Sequence, residues 1–481
     1  MSLIKGYRTG SDTPDREPSP AALVRLRVAV TFFFALAGFL FAGWAVRIPA
    51  IKEQIGASPG PLGLALLCMT GSAVLTMLAT GGLCRRFGSR RVTIATAALL
   101  SVSVVPPTLT HSAVGLGLVL IIFGIAYGGI DVAVNSVAVD LIAALGRPVM
   151  PGFHAANSFG SLAGAALGGL LAPYLSPTRH MLLLVPAGLL ATAILGRMLM
   201  AHPLPSADTE VPDGVDAEAA SQADVLEDME TAGHPGGRGD PAGRNGSAGA
   251  KGPTGMDSPR SPDGPAGPDG PAGPDGPAGP GGSAGSEVKP AGRRLGVAVV
   301  VFGLIGLCAA FSQGALDGWM PLHIREDLAG SPGAAAAGYA ALQLTMGFMR
   351  LSGVALLERL GPTRVVVIGG LTACAGTLLA AMTDSLPLVF VGIIATGLGL
   401  ANIFPVAMAQ AGVAGGPSGI AVAATLGYCG ILAAPPAIGL LADAFGLPVG
   451  LTLIALAAAI ASAIAYVIRP RTAPRTAARA D

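Results

Sequence analysis

GIAYGGIDVAVNSVAVDLIAALGRPVMPGFHAANSFG, residues 124–160, sets two glycine-rich apolar runs on either side of a short polar turn. The first run carries Asp131 and the second His154. The whole chain is 52% hydrophobic and 12% charged, with a mean hydropathy of +0.65. Soluble domains hold about a quarter charged residues, so this composition belongs in a bilayer. A charge there costs about 2.5 to 3.5 kcal/mol on insertion scales, which makes an embedded carboxylate a functional candidate by default.

Working outward, a helix needs about 20 mainly apolar residues to cross about 30 Å of hydrocarbon. Runs of that kind fall at about 27 to 48, 61 to 84, 91 to 110, 114 to 139, 150 to 173 and 180 to 200, then at about 295 to 320, 334 to 357, 364 to 383, 387 to 411, 418 to 442 and 447 to 468. The expected fold class is therefore an all-α membrane protein with twelve transmembrane helices in two six-helix bundles. Pro106–Pro107 and Pro435–Pro436 predict kinks within their spans. Lysine and arginine gather on one side of this layout, at Arg25, Arg27, Arg85, Arg86, Arg90, Arg91, Arg147, Arg197, Arg359 and Arg364. Cytoplasmic loops collect such residues, so a cytoplasmic (inner) membrane location with both termini cytoplasmic is expected.

Domain organisation follows from the breaks: a disordered cytoplasmic tail at 1–26, a six-helix bundle at 27–200, a linker at 201–293, a second bundle at 294–469 and a basic tail at 470–481. The linker repeats PDGPAG, holds more than half of the 28 acidic residues and has almost nothing apolar to bury, which reads as disorder. The bundles share phrases at nearly one offset. RRFGSRRV at 85–92 and ERLGPTRV at 358–365 are 273 apart, Gly43–Trp44 and Gly318–Trp319 are 275 apart, and GLLA at 169 and 439 is 270 apart. Three such matches predict a parallel internal repeat.

The cytoplasmic turn motif comprises Gly81, Arg86, Gly88, Arg90 and Arg91, with Glu358, Arg359 and Gly361 in the second copy. Together with the helix count and the central linker, it resembles the major facilitator superfamily. That family's turn is usually written G-x-L-x-D-R-x-G-R-R. Here Arg85 stands at the aspartate and Ser89 at one of the arginines. The phrases GWAVRIPAIKEQIG, GGIDVAVNSVAVD, GRPVMPGFHAANSFGSLAGA, ALDGWMPLHIREDL and LGYCGILAAPPAIGLLAD resemble uncharacterised bacterial inner-membrane permeases near the fucose permeases. The resemblance implies alternating access. In fucose permeases, acids in helices one and four are linked to proton and sugar movement; Asp131 lies in helix four, while helix one has no acid from Val28 to Val46.

Counting from the arginine-rich side at 1.5 Å per residue puts Asp131 about 12 Å deep and Arg350 about 10 Å deep. Tyr127, Asp131 and Asn135 share one helix face, and His154 and Asn157 lie at matching levels of the next helix, His154 opposite Asn135. These residues, with Gln313, Asp317, Trp44 and Trp319, form the expected substrate or proton pathway. Membrane-interface belts are the commoner place for the two tryptophans. Two gating charge pairs are expected, Asp131 with Arg350 on the inner side and Arg47 with Asp317 on the outer side. Protonation of Asp131 would couple proton movement to whichever gate is closed.

The leading expectation is a secondary transporter of a small polar solute, proton-coupled and acting as a monomer in the lipid bilayer. Export of drugs or metabolites is an alternative, as is a membrane sensor or scaffold working through the linker. No nucleophile elbow, phosphate loop, metal-ligand spacing or cofactor fingerprint is present, so no enzyme, cofactor, metal or nucleic-acid role is expected.

Overall fold

The computed structural model describes residues 20–147, 149–201 and 291–468. The expected linker lies outside these residues apart from its edges, as do the whole of the basic tail and residues 1–19. Among the described residues every regular element is helical. In the first half these are α1 (Pro20–Ala45), α2 (Ile48–Ile55), α3 (Pro59–Phe87), α4 (Ser89–Ser103), α5 (Ala113–Leu145), α6 (Met150–Leu171) and α7 (Pro177–Met200). In the second they are α8 (Ala291–Glu326), α9 (Pro332–Leu351), α10 (Gly353–Leu360), α11 (Pro362–Met382), α12 (Leu386–Leu400), α13 (Ile403–Phe445) and α14 (Leu447–Ile468).

Among the described residues ten helical stretches are long and apolar enough to cross a membrane, and eleven if α9 and α10, bent by 59° at Ser352, count as one. The chain is thus a multi-pass membrane protein. The segment that fails the apolar criterion among the expected twelve is α6. Its 22 residues are long enough, but they include His154, Asn157, Ser158 and Ser161.

Local sequence explains the breaks. Pro106 and Pro107 open a 3₁₀ turn, Pro106–Leu109, after α4 has ended, as a residue lacking N–H should. Pro435 and Pro436 behave otherwise, since the helix runs through them to Phe445. The discontinuity in α13 sits at Gly416, whose φ of 58° is left-handed. Around the opening stretch, Ser112 caps α5 by accepting from the Gly115 amide at 3.1 Å, and left-handed Gly146 ends it. Gly88 and Gly361, 273 residues apart, close the two arginine turns with φ of 84° and 75°.

Packing repeats at that same spacing. A Cβ at Gly124 of α5 would run into the Met69 carbonyl and Ser72 hydroxyl of α3. One at Gly397 of α12 would run into the Leu342 carbonyl and Thr345 hydroxyl of α9. All three positions shift by 273 residues. Where lipid supplies no hydrophobic drive between helices, such backbone-to-backbone contact gains its energy from close van der Waals packing, which only glycine permits here.

Candidate functional site

A cavity of about 350 Å³ lies between the halves. One wall comes from α1, α3, α5 and α6, the other from α8, α9, α10 and α13. Of the residues expected on the pathway, Tyr127, Asp131, His154, Asn157, Gln313, Asp317 and Trp44 line it, as does Arg350. The i, i+4 spacing of Tyr127 and Asp131 turns both into the cavity, and Gln313 and Asp317 repeat that spacing on α8.

Asn135 does not reach it. It is fully buried and gives its amide to the Asp131 carbonyl at 2.8 Å, while its Oδ1 has no partner among the described residues. That backbone bond holds Asn135 within α5, off the pathway on which it was expected. His154 sets its ring edge-on to Phe34 at 5.4 Å. Asn157 donates to the Phe34 carbonyl at 3.2 Å, tying α6 to α1. Trp319, fully buried, packs over Gly439 outside the cavity lining.

The belt placement of the tryptophans is corrected. Trp44 is 1% exposed and Trp319 0%. Trp44 turns inward onto Phe123 at 4.9 Å while Phe41 meets Tyr127 at 4.8 Å. Such pairs add about 0.5 to 1.5 kcal/mol each beyond burial.

The charge pairs are also corrected for this conformation. Among the described residues no hydrogen bond or ion pair joins Asp131 to Arg350, or Arg47 to Asp317. Arg350 donates to the Ser158 hydroxyl at 2.9 Å and to Gln313 Oε1 at 3.4 Å, and it lies within electrostatic range of Asp317, Tyr127, Tyr339 and His154. Asp317 accepts from the Tyr339 hydroxyl at 3.0 Å. Arg47 donates through Nε to His180 Nδ1 at 3.1 Å. Depth counting placed Arg350 and Asp131 at one level but could not give the direction each points around its helix. Asp317 proves near enough to serve the same cavity.

Sequence reasoning missed Asn402, Tyr428, Phe404 and Tyr339. Asn402 lies in the break between α12 and α13, donates to the Met349 carbonyl at 3.1 Å and lines the cavity.

The turn motif lies away from the cavity. Arg90, half-buried, reaches the Leu199 carbonyl at 3.5 Å and lies within electrostatic range of Asp140, while Glu358 and Arg359 are exposed. The halves meet at the opposite end. Lys52 binds Glu326 at 2.7 and 2.9 Å, Asp443 accepts from the Gly60 amide at 2.9 Å and the Ser58 hydroxyl at 3.2 Å, and Gly63 packs on Gly439. Met150, Pro151, Val354 and Leu357 extend the cavity lining toward the arginine-rich end. The cavity is therefore shut at the Lys52 end and continues toward the other.

A helical chain whose two halves enclose a charged cavity has the form of a carrier, and sequence comparison decides the family. Residues 27–241 and 302–481 match the Major Facilitator Superfamily. The chain belongs to that superfamily. Its members are transporters, not enzymes, and this major facilitator is accordingly a membrane transporter whose partners are a small-molecule substrate and lipid. It is 27% identical to an uncharacterised MFS-type transporter of Yersinia pestis over 89% of this chain and 92% of that one. Its fold is similar to that of a bacterial homolog of the human lysosomal transporter Spinster, solved inward-facing and occupied, with a TM-score of 0.63, 13% identity and coverage of 93% and 97% of the two chains. It is also similar to the Escherichia coli fucose:proton symporter, with a TM-score of 0.54, 14% identity and coverage of 93% and 98%.

Proposed function

We propose that this major facilitator is a secondary active transporter that moves a small polar solute across the cytoplasmic membrane by alternating access, coupled to protons through Asp131. The observation that carries the reading is the central cavity, walled by both halves and shut at one end by Lys52–Glu326 and Asp443. In this reading α6 is the twelfth span, since its polar residues face the cavity or α1 and not lipid. The 273-residue shift in helix packing supports two parallel repeats. The arginine-rich end is cytoplasmic by the charge rule, which makes this conformation open inward and makes Arg47, Lys52 and Arg325 face outward.

Alternating access needs the Lys52 end to part. The Lys52–Glu326 pair is partly exposed and contributes about 0 to 1 kcal/mol, so it biases the equilibrium without locking it. In a variant whose own five cysteines are replaced, Lys52→Cys with Glu326→Cys should be joined by a reducible bis-methanethiosulfonate cross-linker, since the two short thiol side chains do not span the reach of the Lys–Glu pair. Flux of a solute found by thermal-shift screening should then stop and return on reduction. Full flux through the cross-linked protein contradicts the reading.

A second reading, export of a more apolar metabolite, is favoured by Phe34, Phe41, Trp44 and Phe404 in the lining. It predicts that the stabilising solutes in the same screen are amphipathic and not sugars or organic acids.

A further inference from the structure

A second cavity of about 320 Å³ lies between the halves at the Lys52 end, apart from the central one. Its charged groups are Arg47 and Glu53 from the first half and Arg325 from the second. Arg47 is 4% exposed, and after its Nε–H bond to His180 its Nη2 is buried with no partner among the described residues. A guanidinium cannot shed its charge, and a buried one without a counter-anion is strongly destabilising. Glu53 does not supply that anion: it is exposed and makes no ion pair with Arg47 among the described residues. Arg325 uses one Nη1–H on the Gly330 carbonyl at 3.2 Å and stays half-buried. Two helices also start at this wall, α7 after its cap Ser176 and α9 at Pro332, and helix N-termini favour negative charge.

We propose that this cavity is an anion site that takes a small oxyanion, a carboxylate or a phosphate, between Arg47 and Arg325. Planar guanidinium groups bind such anions through paired N–H bonds. The ligand bridges the two halves beside the Lys52–Glu326 contact, so its binding holds the Lys52 end shut. It raises the stability of this conformation by mass action. The site is independent of what the central cavity carries, and it stands if that cavity proves to move an apolar metabolite.

The test uses the purified full-length chain in detergent, with sodium succinate or sodium phosphate exchanged for sodium chloride at constant ionic strength. The melting temperature should rise saturably with either probe. Arg325→Gln should raise the half-effect concentration at least about tenfold, and Arg47→Gln likewise if it folds. Arg179→Gln, at an exposed arginine near the same end, should leave the response unchanged. A melting temperature insensitive to both probes, or an unchanged response in Arg325→Gln, overturns the proposal. Nanodiscs distinguish the source. If the succinate response persists in both phosphatidylcholine and phosphatidylglycerol, the occupant is a free solute. If it disappears only in phosphatidylglycerol, the net-anionic headgroup of that lipid holds the site. Loss in both overturns it.

Discussion

Arg350→Gln should lower solute flux at least about 100-fold while the protein still inserts and folds. Arg350 brings its charge into the central cavity with its direction fixed by Ser158 from the first half and Gln313 from the second. Truncating one partner of a hydrogen-bonded charge contact across an interface costs about 2 to 5 kcal/mol, and each 1.4 kcal/mol is a factor of ten. Here Asp317 would lose the cation within its electrostatic range and keep the Tyr339 hydroxyl. Glutamine can retain a bond to Ser158, so the halves keep a polar contact. Initial uptake rates in proteoliposomes, at matched reconstituted protein, check this; a loss of less than about threefold would remove Arg350 from the pathway.

Asp131→Asn should abolish the dependence of flux on a proton gradient and leave solute binding largely intact. Asp131 faces the cavity, and among the described residues no arginine, lysine or histidine lies at ion-pair distance from it. A proton can therefore neutralise it as the cavity closes without breaking an ion pair among the described residues. Asparagine is nearly the same shape and is permanently neutral, so it imitates the protonated state. The expected result is equilibrative exchange that does not respond to pH, with accumulation against a gradient lost. Uptake driven by an imposed pH gradient measures it, and accumulation equal to that of the unaltered chain would move the proton site elsewhere.

The length of each apolar run was enough to place the helices, of which ten or eleven among the described residues are long and apolar enough to cross a membrane. Helical spacing was enough to put Tyr127 with Asp131 and Gln313 with Asp317 on common faces, because four residues is close to one turn. What stayed hidden was direction across long separations. Arg47 meets His180 over 133 residues and Arg350 meets Ser158 over 192, and no local pattern encodes such pairings. Trp44 reads as an interfacial residue from its place near a helix end, but its indole packs into an aromatic cluster with Phe41 and Phe123. Asn402 escaped notice since a lone asparagine beside an apolar run reads as a turn, and its role depends on the bend after Ser352 that brings Gly353 against its side chain.

Alternating access is tested most directly by paired spin-label distances at the two ends, in a background without the native cysteines. One pair, His111→Cys with Asp384→Cys, sits on exposed turns at the Lys52 end; the other, Phe87→Cys with Arg359→Cys, sits on exposed positions at the arginine-rich end. As pH or bound solute is varied, double electron–electron resonance should show the two distances changing in opposite senses, one lengthening while the other shortens. Distances that stay fixed under all conditions, or that lengthen and shorten together, would contradict the account.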